Sequence, residues 1–171
     1  MTGLAPTDVL LEISCFVTDA QLNLLDTEGF HTVIGRSEST LDEMDDWCTN
    51  THTSSGLVSR VLASTVTPTQ AGAALLSYIQ KYVPEKCVGL LAGNTVHADK
   101  VFLVKEMPAV VEWLGYRIVD VSSVKEMGRR WCGEEVLAKC PRKEGVHRSK
   151  EDVLESIEEA RYWKGVLFDG K

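Results

Sequence analysis

Most features that would set a chain apart from ordinary globular domains are missing from these 171 residues. No apolar run is long enough to span a bilayer, and the first residues lack the basic and apolar regions of a secretory signal. The five cysteines, Cys15, Cys48, Cys87, Cys132 and Cys140, are odd in number and include no Cys-x-x-Cys pair. Neither a disulfide framework nor a zinc knuckle is therefore indicated, and reduced thiols in the cytoplasm or an organelle such as the mitochondrion are the simplest expectation. Cys132, Cys140 and His147 match no metal-binding spacing. Positive charge is also scarce: 18 Lys and Arg face 25 Asp and Glu, for a net charge of −7. A sequence-blind binder of long duplexes needs a broad basic face to displace counterions, so that class is disfavoured, whereas short nucleic acid remains compatible. With no repeat, low-complexity tract or interdomain linker, residues 1–171 are expected to form a single domain with one core.

Pattern and turn chemistry give the order of elements. Val9 to Val17 is rich in β-formers, Thr18-Asp19-Ala20-Gln21 supplies a turn, and a second extended run follows to Ile34, which predicts an antiparallel hairpin. Thr40-Leu41-Asp42-Glu43 reads as a capping box opening a short acidic helix, and Ser55-Gly56 opens another carrying Leu57, Val58, Val61 and Leu62. Thr67-Pro68-Thr69-Gln70 predicts a longer helix to about Tyr82, with proline at the first helical position and Pro84 past the end. Thereafter the expected order is strand (Cys87 to Ala92), helix (Ala98 to Lys105), short helix (Val110 to Leu114), strand (Arg117 to Val121), helix (Ser123 to Trp131), a long loop from Gly133 to Val146 and a final helix. Alternation of this kind implies parallel strands covered by helices, an α/β fold. Gly3, Pro6 and Asp8 read as a turn at the start.

Chemistry concentrates in two places. His147-Arg148-Ser149-Lys150-Glu151-Asp152 puts an imidazole and a carboxylate at a helix start, a combination suited to acid/base work on metal-bound water. Ser149 is a good N-cap, Asp152 stands in capping-box position, and Val153, Leu154, Ile157 and Ala160 supply an apolar stripe, so Asp152 also has a purely structural reading as a cap. Basic residues Arg129, Arg130, Lys139, Arg142, Lys143, Arg148 and Lys150 gather around the loop before it, either as a solvated face or as a phosphate-facing patch. The second place is the segment from Leu90 to Leu103, which reads as a buried strand, a turn and a helix carrying Asp99. Asp120, at a strand end before a helix, reads as a cap.

Several motifs then fall in one order: Met1-Thr2-Gly3-Leu4; Asp46-Trp47 with Thr51-His52 and Ser55-Gly56-Leu57; Ala92-Gly93-Asn94-Thr95-Val96-His97-Ala98-Asp99-Lys100 with Phe102-Leu103; Tyr116-Arg117-Ile118-Val119-Asp120-Val121-Ser122; and His147 with Asp152. Over essentially its whole length the chain resembles the oligoribonuclease family, of the DEDDh branch of RNase H-like 3′→5′ exonucleases. The resemblance implies an RNase H-like mixed sheet flanked by helices and two-metal-ion hydrolysis of very short RNA, dinucleotides above all, with Mg²⁺ or Mn²⁺. It implies Asp99 and Asp152 as metal ligands and His147 as general base, a role that an imidazole suits because its pKa lies near neutrality. Leu4 corresponds to an apolar wedge against the terminal bases, and Trp47 and His52 to residues lining the scissile end. Tyr116, Arg117, Ser122 and Lys125 correspond to a cap on the 5′ phosphate built across a homodimer interface, with Thr95 adding a hydroxyl. Such a contact measures substrate length, because only a dinucleotide offers its second residue as its last.

Two departures from the family pattern stand out. Gly115 occupies the place of a histidine expected before Tyr116. In the family an Asp-x-Glu precedes Met-Thr-Gly-Leu at the end of a central strand and supplies two further metal ligands, whereas this sequence starts at Met1. The expectation is therefore a sheet without its central strand, a truncated N-terminus and impaired activity. A non-catalytic, dimerising RNA-binding form and a related DNA 3′ exonuclease are the competing expectations.

Overall fold

The computed structural model describes residues 1–141 and 148–168. Its first ladder is antiparallel, β1 (Glu12–Cys15) against β2 (Phe30–Val33), with Glu12 opposite Val33 and Cys15 opposite Phe30. Thr18 and Leu24 make a further antiparallel bridge inside the connecting loop, so the expected hairpin is present. Helices α1 (Glu38–Leu41), α2 (Asp46–Ser54), α3 (Leu57–Ala63) and α4 (Pro68–Tyr82) follow. Then come β3 (Leu91–Gly93), α5 (Val96–Glu106), α6 (Pro108–Trp113), β4 (Ile118–Asp120), α7 (Val121–Trp131), α8 (Glu134–Ala138) and α9 (Ser149–Leu167). β3 and β4 pair in parallel, Leu91 beside Ile118 and Gly93 beside Asp120.

The fold is thus α/β, with one antiparallel and one parallel ladder flanked by helices. Among the described residues the two ladders are not hydrogen-bonded to each other.

Local chemistry explains several boundaries. Thr67 accepts from the Gln70 N–H while the Gln70 side chain accepts from the Thr67 N–H, and Pro68 stands at the first position, so α4 starts where the sequence predicts. The box expected at Thr40 is not formed. Ser37 caps α1 instead, and Asp45 caps α2 by accepting from the Cys48 N–H at 2.7 Å. Glycine at position 56, with φ of 71°, provides the left-handed entry to α3. The expected long loop from Gly133 contains α8.

Packing divides around β1. Leu10 and Leu11 are both buried, and because neighbours in an extended chain point to opposite faces they feed different clusters. Leu10 joins Ile34, Ala71, Leu75 and Ile79 of α4, Phe102 and Leu103 of α5, Met107 and Val110. Leu11 joins Leu41, Leu57 and Val61 beneath α1 and α3. The spacing of Ala71, Leu75 and Ile79 is the four-residue stripe of a helix with one buried face.

The backbone at Leu10 is held by side chains. Its N–H donates to Glu106 at 2.8 Å, its carbonyl accepts from Arg36 at 3.0 Å, and Arg36 pairs with Glu106. These bonds satisfy main-chain groups where the ladder does not reach.

The chain start is also tied down. The Thr2 N–H donates to the Val9 carbonyl at 2.9 Å, and Asp8 accepts from the Thr2 hydroxyl at 2.8 Å and the Ala5 N–H at 2.6 Å. The turn read from Gly3, Pro6 and Asp8 is therefore formed. It places Met1 under α2, where its carbonyl lies 2.9 Å from Nε2 of His52.

Candidate functional site

Asp99 lies in the first turn of α5, where the partial positive charge of a helix start favours a carboxylate. Burial nevertheless pushes its carboxyl above the ordinary range, against the opposing pull of a backbone hydrogen bond, the Met1 amino group and His97. The Met1 amino group also feels Glu12 and Asp8. Met1, His52 and Asp99 therefore share one neighbourhood between α2 and α5.

One turn earlier, Thr95 enters α5 with φ of 55°, a left-handed conformation that a β-branched residue rarely adopts. Two contacts hold it there: its N–H donates to Asp120 at 3.0 Å, and its hydroxyl lies 3.1 Å from that of Ser122. Asp120 also accepts from the Ser122 N–H at 2.9 Å and sits 3.2 Å from Nδ1 of His97. Burial alone would raise the Asp120 pKa. The His97, Thr95 and Ser122 hydrogen bonds outweigh it and hold the carboxyl below the usual carboxylate range. Asp120 is thus the N-cap of α7, as its place in the sequence suggests, and it also braces the two hydroxyls.

Lys125 stands one turn after Ser122 on the same face of α7. Its ammonium is 2.8 Å from Oε1 of Glu159, a carboxylate of α9 that is only 1% exposed and that also accepts from Asn94 at 2.8 Å. Sequence reasoning missed Glu159. Its only local signal is an acidic residue on the inward face of a helix, with Ser156 three residues before and Trp163 four after, the other buried positions of α9.

Tyr116 is 75% exposed, with the Arg117 guanidinium 4.4 Å from its ring centre. The Lys100 ammonium donates to the Tyr116 carbonyl at 2.9 Å. The three border a hollow of about 380 Å³ floored by Leu90, Val111 and Leu114. Lys100 was quoted in the motif but given no role by sequence reasoning. It ties the loop carrying Tyr116 to the helix that carries Thr95 and Asp99.

Other expected residues stand around this centre. Leu4 is 76% exposed at the turn before β1, and Trp47 is 61% exposed on α2. His52 lies in the last turn of the same helix. Asp152 lies in the first turn of α9, but no capping box forms there. Arg148 is the N-cap without a side-chain bond, and Ser149 turns its hydroxyl to Glu12 and to Ser14, 2.6 Å away. The stripe Val153, Leu154, Ile157 and Ala160 is half-buried, while the fully buried face is Ser156, Glu159 and Trp163. His147, with Arg142 and Lys143, lies outside the described residues.

Among the described residues, no three His, Cys, Asp or Glu side chains come together so as to hold a metal ion. Asp99 is a carboxyl whose charged form is disfavoured by burial, only partly offset by a backbone hydrogen bond and the charge of the Met1 amino group. The described donors therefore do not by themselves complete a two-cation centre, which needs several ionised oxygens around each ion.

Comparison with known proteins identifies the relatives of this chain. A family model described as "Exonuclease" matches residues 1–160. The chain is 45% identical over 169 residues to an oligoribonuclease of Vibrio campbellii, covering 98% of this chain and 91% of that protein. It is 43% identical over 174 residues to a mitochondrial oligoribonuclease of Homo sapiens, covering 100% of this chain and 71% of that one. It is 44% identical over 165 residues to a probable oligoribonuclease of Schizosaccharomyces pombe, covering 96% of this chain but only 64% of that protein's length.

Proposed function

The chain belongs to the exonuclease family and, within it, to the oligoribonucleases, which are 3′→5′ exoribonucleases, and on that footing we propose that its substrates are very short oligoribonucleotides, dinucleotides above all. The observation that carries this is the similarity to oligoribonucleases over nearly the whole chain, with 45% identity to a relative of which it spans 91%.

The arrangement of side chains supports a division of labour. Leu4, in the turn that follows Met1, and Trp47, on the helix that carries His52, present exposed apolar surface for the 3′-terminal bases. Thr95 and Ser122 present paired hydroxyls for the 5′ phosphate, with Lys125 one turn after Ser122 on α7, and Arg117 adds a cation beside Tyr116. Val101 and Val104 stand 60% and 54% exposed on α5, the helix whose Lys100 bonds the Tyr116 carbonyl. An apolar face of this kind supports a homodimer built on α5 and the Tyr116 loop, which sedimentation or light scattering would register as twice the chain mass.

Exonucleases of this family generally use divalent metals. We assign Asp99 and Asp152 as the carboxylates that this chain brings towards Mg²⁺ or Mn²⁺ and His147 as the base. Because the described donors do not complete a cluster, no step is routed through an ion. The chain's own described residues bind and orient the substrate. Hydrolysis by them alone is expected to be weak, and that same observation favours the second reading, a non-catalytic RNA-binding form. The mitochondrial and bacterial relatives support a mitochondrial or cytoplasmic site of action. Among the described residues no helix is long and apolar enough to cross a membrane.

Incubation of the chain with a 5′-phosphorylated diribonucleotide and with long single-stranded DNA, in Mg²⁺, in Mn²⁺ and in EDTA, separates the readings. Mononucleotides released from the diribonucleotide only when metal is present are the expected result. Tight binding in EDTA with no product at any metal concentration establishes the non-catalytic reading. Preference for the long DNA, or neither binding nor cleavage of the diribonucleotide, overturns both.

A further inference from the structure

Glu159 is a carboxylate almost wholly removed from solvent, and its two oxygens are divided between two other parts of the fold. Oε1 receives the Lys125 ammonium of α7 at 2.8 Å, and Oε2 receives the Asn94 side-chain amide of the turn between β3 and α5 at 2.8 Å. The Cys140 thiol approaches Oε1 at 3.8 Å. A buried charge needs such compensation, and an apolar side chain would pack α9 against α7 at lower cost. Stability alone therefore does not account for an acid at this point.

What the tied segments have in common is the candidate site. Thr95 directly follows Asn94, and Ser122 lies one turn before Lys125. The 3.1 Å separation of the two hydroxyls thus spans the same pair of segments that Glu159 holds from behind. Lys125 keeps 30% of its side chain exposed although its ammonium is paired.

We propose that Glu159 is a positioning residue: it fixes the Asn94–Thr95 turn and the Lys125 head against α9, so that Thr95, Ser122 and Lys125 present one preformed phosphate receptor. This rests on the reading of the chain as a binder of 5′-phosphorylated short RNA. Without the carboxylate, Lys125 is free to swing and the turn loses its inner anchor. Glutamine in its place can accept from only one of the two donors, because its amide nitrogen faces the other.

The test compares Glu159→Gln with the unaltered chain in EDTA, measuring by calorimetry the affinities for a diribonucleotide with and without its 5′ phosphate. The expected result is at least a tenfold loss of the preference for the phosphorylated form, with affinity for the other form changed less than twofold. Equal losses for both forms, or an unchanged preference, overturn the proposal. Should Glu159→Gln fail to fold, Asn94→Ala, which cuts the turn's bond to Glu159 and leaves Lys125 in place, is expected to show the same lost preference; a retained preference overturns the proposal.

Amide exchange of Thr95 and Ser122, both bonded to Asp120, is an independent measure. At least tenfold faster exchange in Glu159→Gln supports the positioning role, and unchanged exchange overturns it. If the unaltered chain binds neither dinucleotide, the functional reading fails, while the exchange rates still decide whether Glu159 holds the two segments.

Discussion

Glu12 of β1 accepts the main-chain N–H of Ser149, at the first position of α9, over 3.1 Å and across 137 residues of sequence. The Ser149 hydroxyl donates to the same oxygen, while the other carboxylate oxygen pairs with Arg60 at 2.9 Å and lies 3.5 Å from His31. The helix that carries Asp152 is therefore capped by a strand residue from the other end of the chain. Replacing Glu12 by alanine removes that cap, and losses of this kind cost about 0.5–2 kcal/mol. The expected outcome is a lowered denaturant midpoint with faster amide exchange confined to the start of α9.

The same residue gives a pH dependence with a definite sign. Burial would raise its pKa, but the Ser149 hydrogen bonds and the charges of Arg60 and His31 outweigh burial and hold it below the ordinary 4.5. A depressed folded pKa means that its stabilising contribution is complete above 4.5 and lost as pH falls through the lower folded value. Glu12→Gln is expected to be less stable than the unaltered chain at neutral pH and to lose less stability on acidification. Denaturant midpoints at about pH 7 and about pH 4 show whether the gap narrows.

Gly128 is an interior residue of α7, a position where alanine normally gains about 1 kcal/mol of helix propensity. Here the added Cβ would lie 2.3 Å from the ring of Trp163, which is 1% exposed and has nowhere to go. Overpacking of this kind costs about 1–3 kcal/mol, so the steric effect wins. Gly128→Ala is expected to lower thermal stability and to change the near-ultraviolet signal of Trp163; a gain in stability would show that the two helices are not in contact.

Thr95 is held at φ of 55° by partners rather than by preference. A β-branched residue there costs about 1–2 kcal/mol, a strain that proteins tend to retain at functional positions. Thr95→Gly relieves the strain and removes the hydroxyl. The chain should be as stable as before, or more stable by up to about 1 kcal/mol, while affinity for a 5′-phosphorylated dinucleotide falls. Lower stability with unchanged affinity would mean that the threonine is there only for packing.

The fourth helix tests the packing argument directly. Ile79 is 5% exposed within the main cluster, and truncation of a buried isoleucine costs about 2–5 kcal/mol. Ile79→Ala should lower the unfolding free energy by that amount, read from denaturant curves, far more than Ser77→Ala on the exposed face of the same helix.

Where the signal was local, the sequence was readable. The start of α4 is written in Thr67, Pro68 and Gln70, and the role of Asp120 as a cap in its place before α7. The start of α9 was placed correctly but for the wrong reason. Ser149 looks like a cap from its neighbours, yet its hydroxyl belongs to Glu12, a partner that no local window contains. Likewise the apolar run from Cys87 suggested an early strand, whereas the ladder begins at Leu91, where the backbone of Ile118 is available to pair. Helix α8 escaped because Gly133 offers no side-chain cap to announce it. At the candidate site the residue types and their order were legible through the resemblance. The buried Glu159, which joins three of the segments involved, has meaning only once α9 is laid against α7.

Leu10 and Leu11 have a consequence for how the molecule tolerates change. Since adjacent positions serve two separate apolar interiors, adding or deleting one residue between them and β1 would shift both leucines out of register with the clusters they fill. Length variation among relatives should therefore collect in the loop between β1 and β2 and stay away from the segment leading into β1.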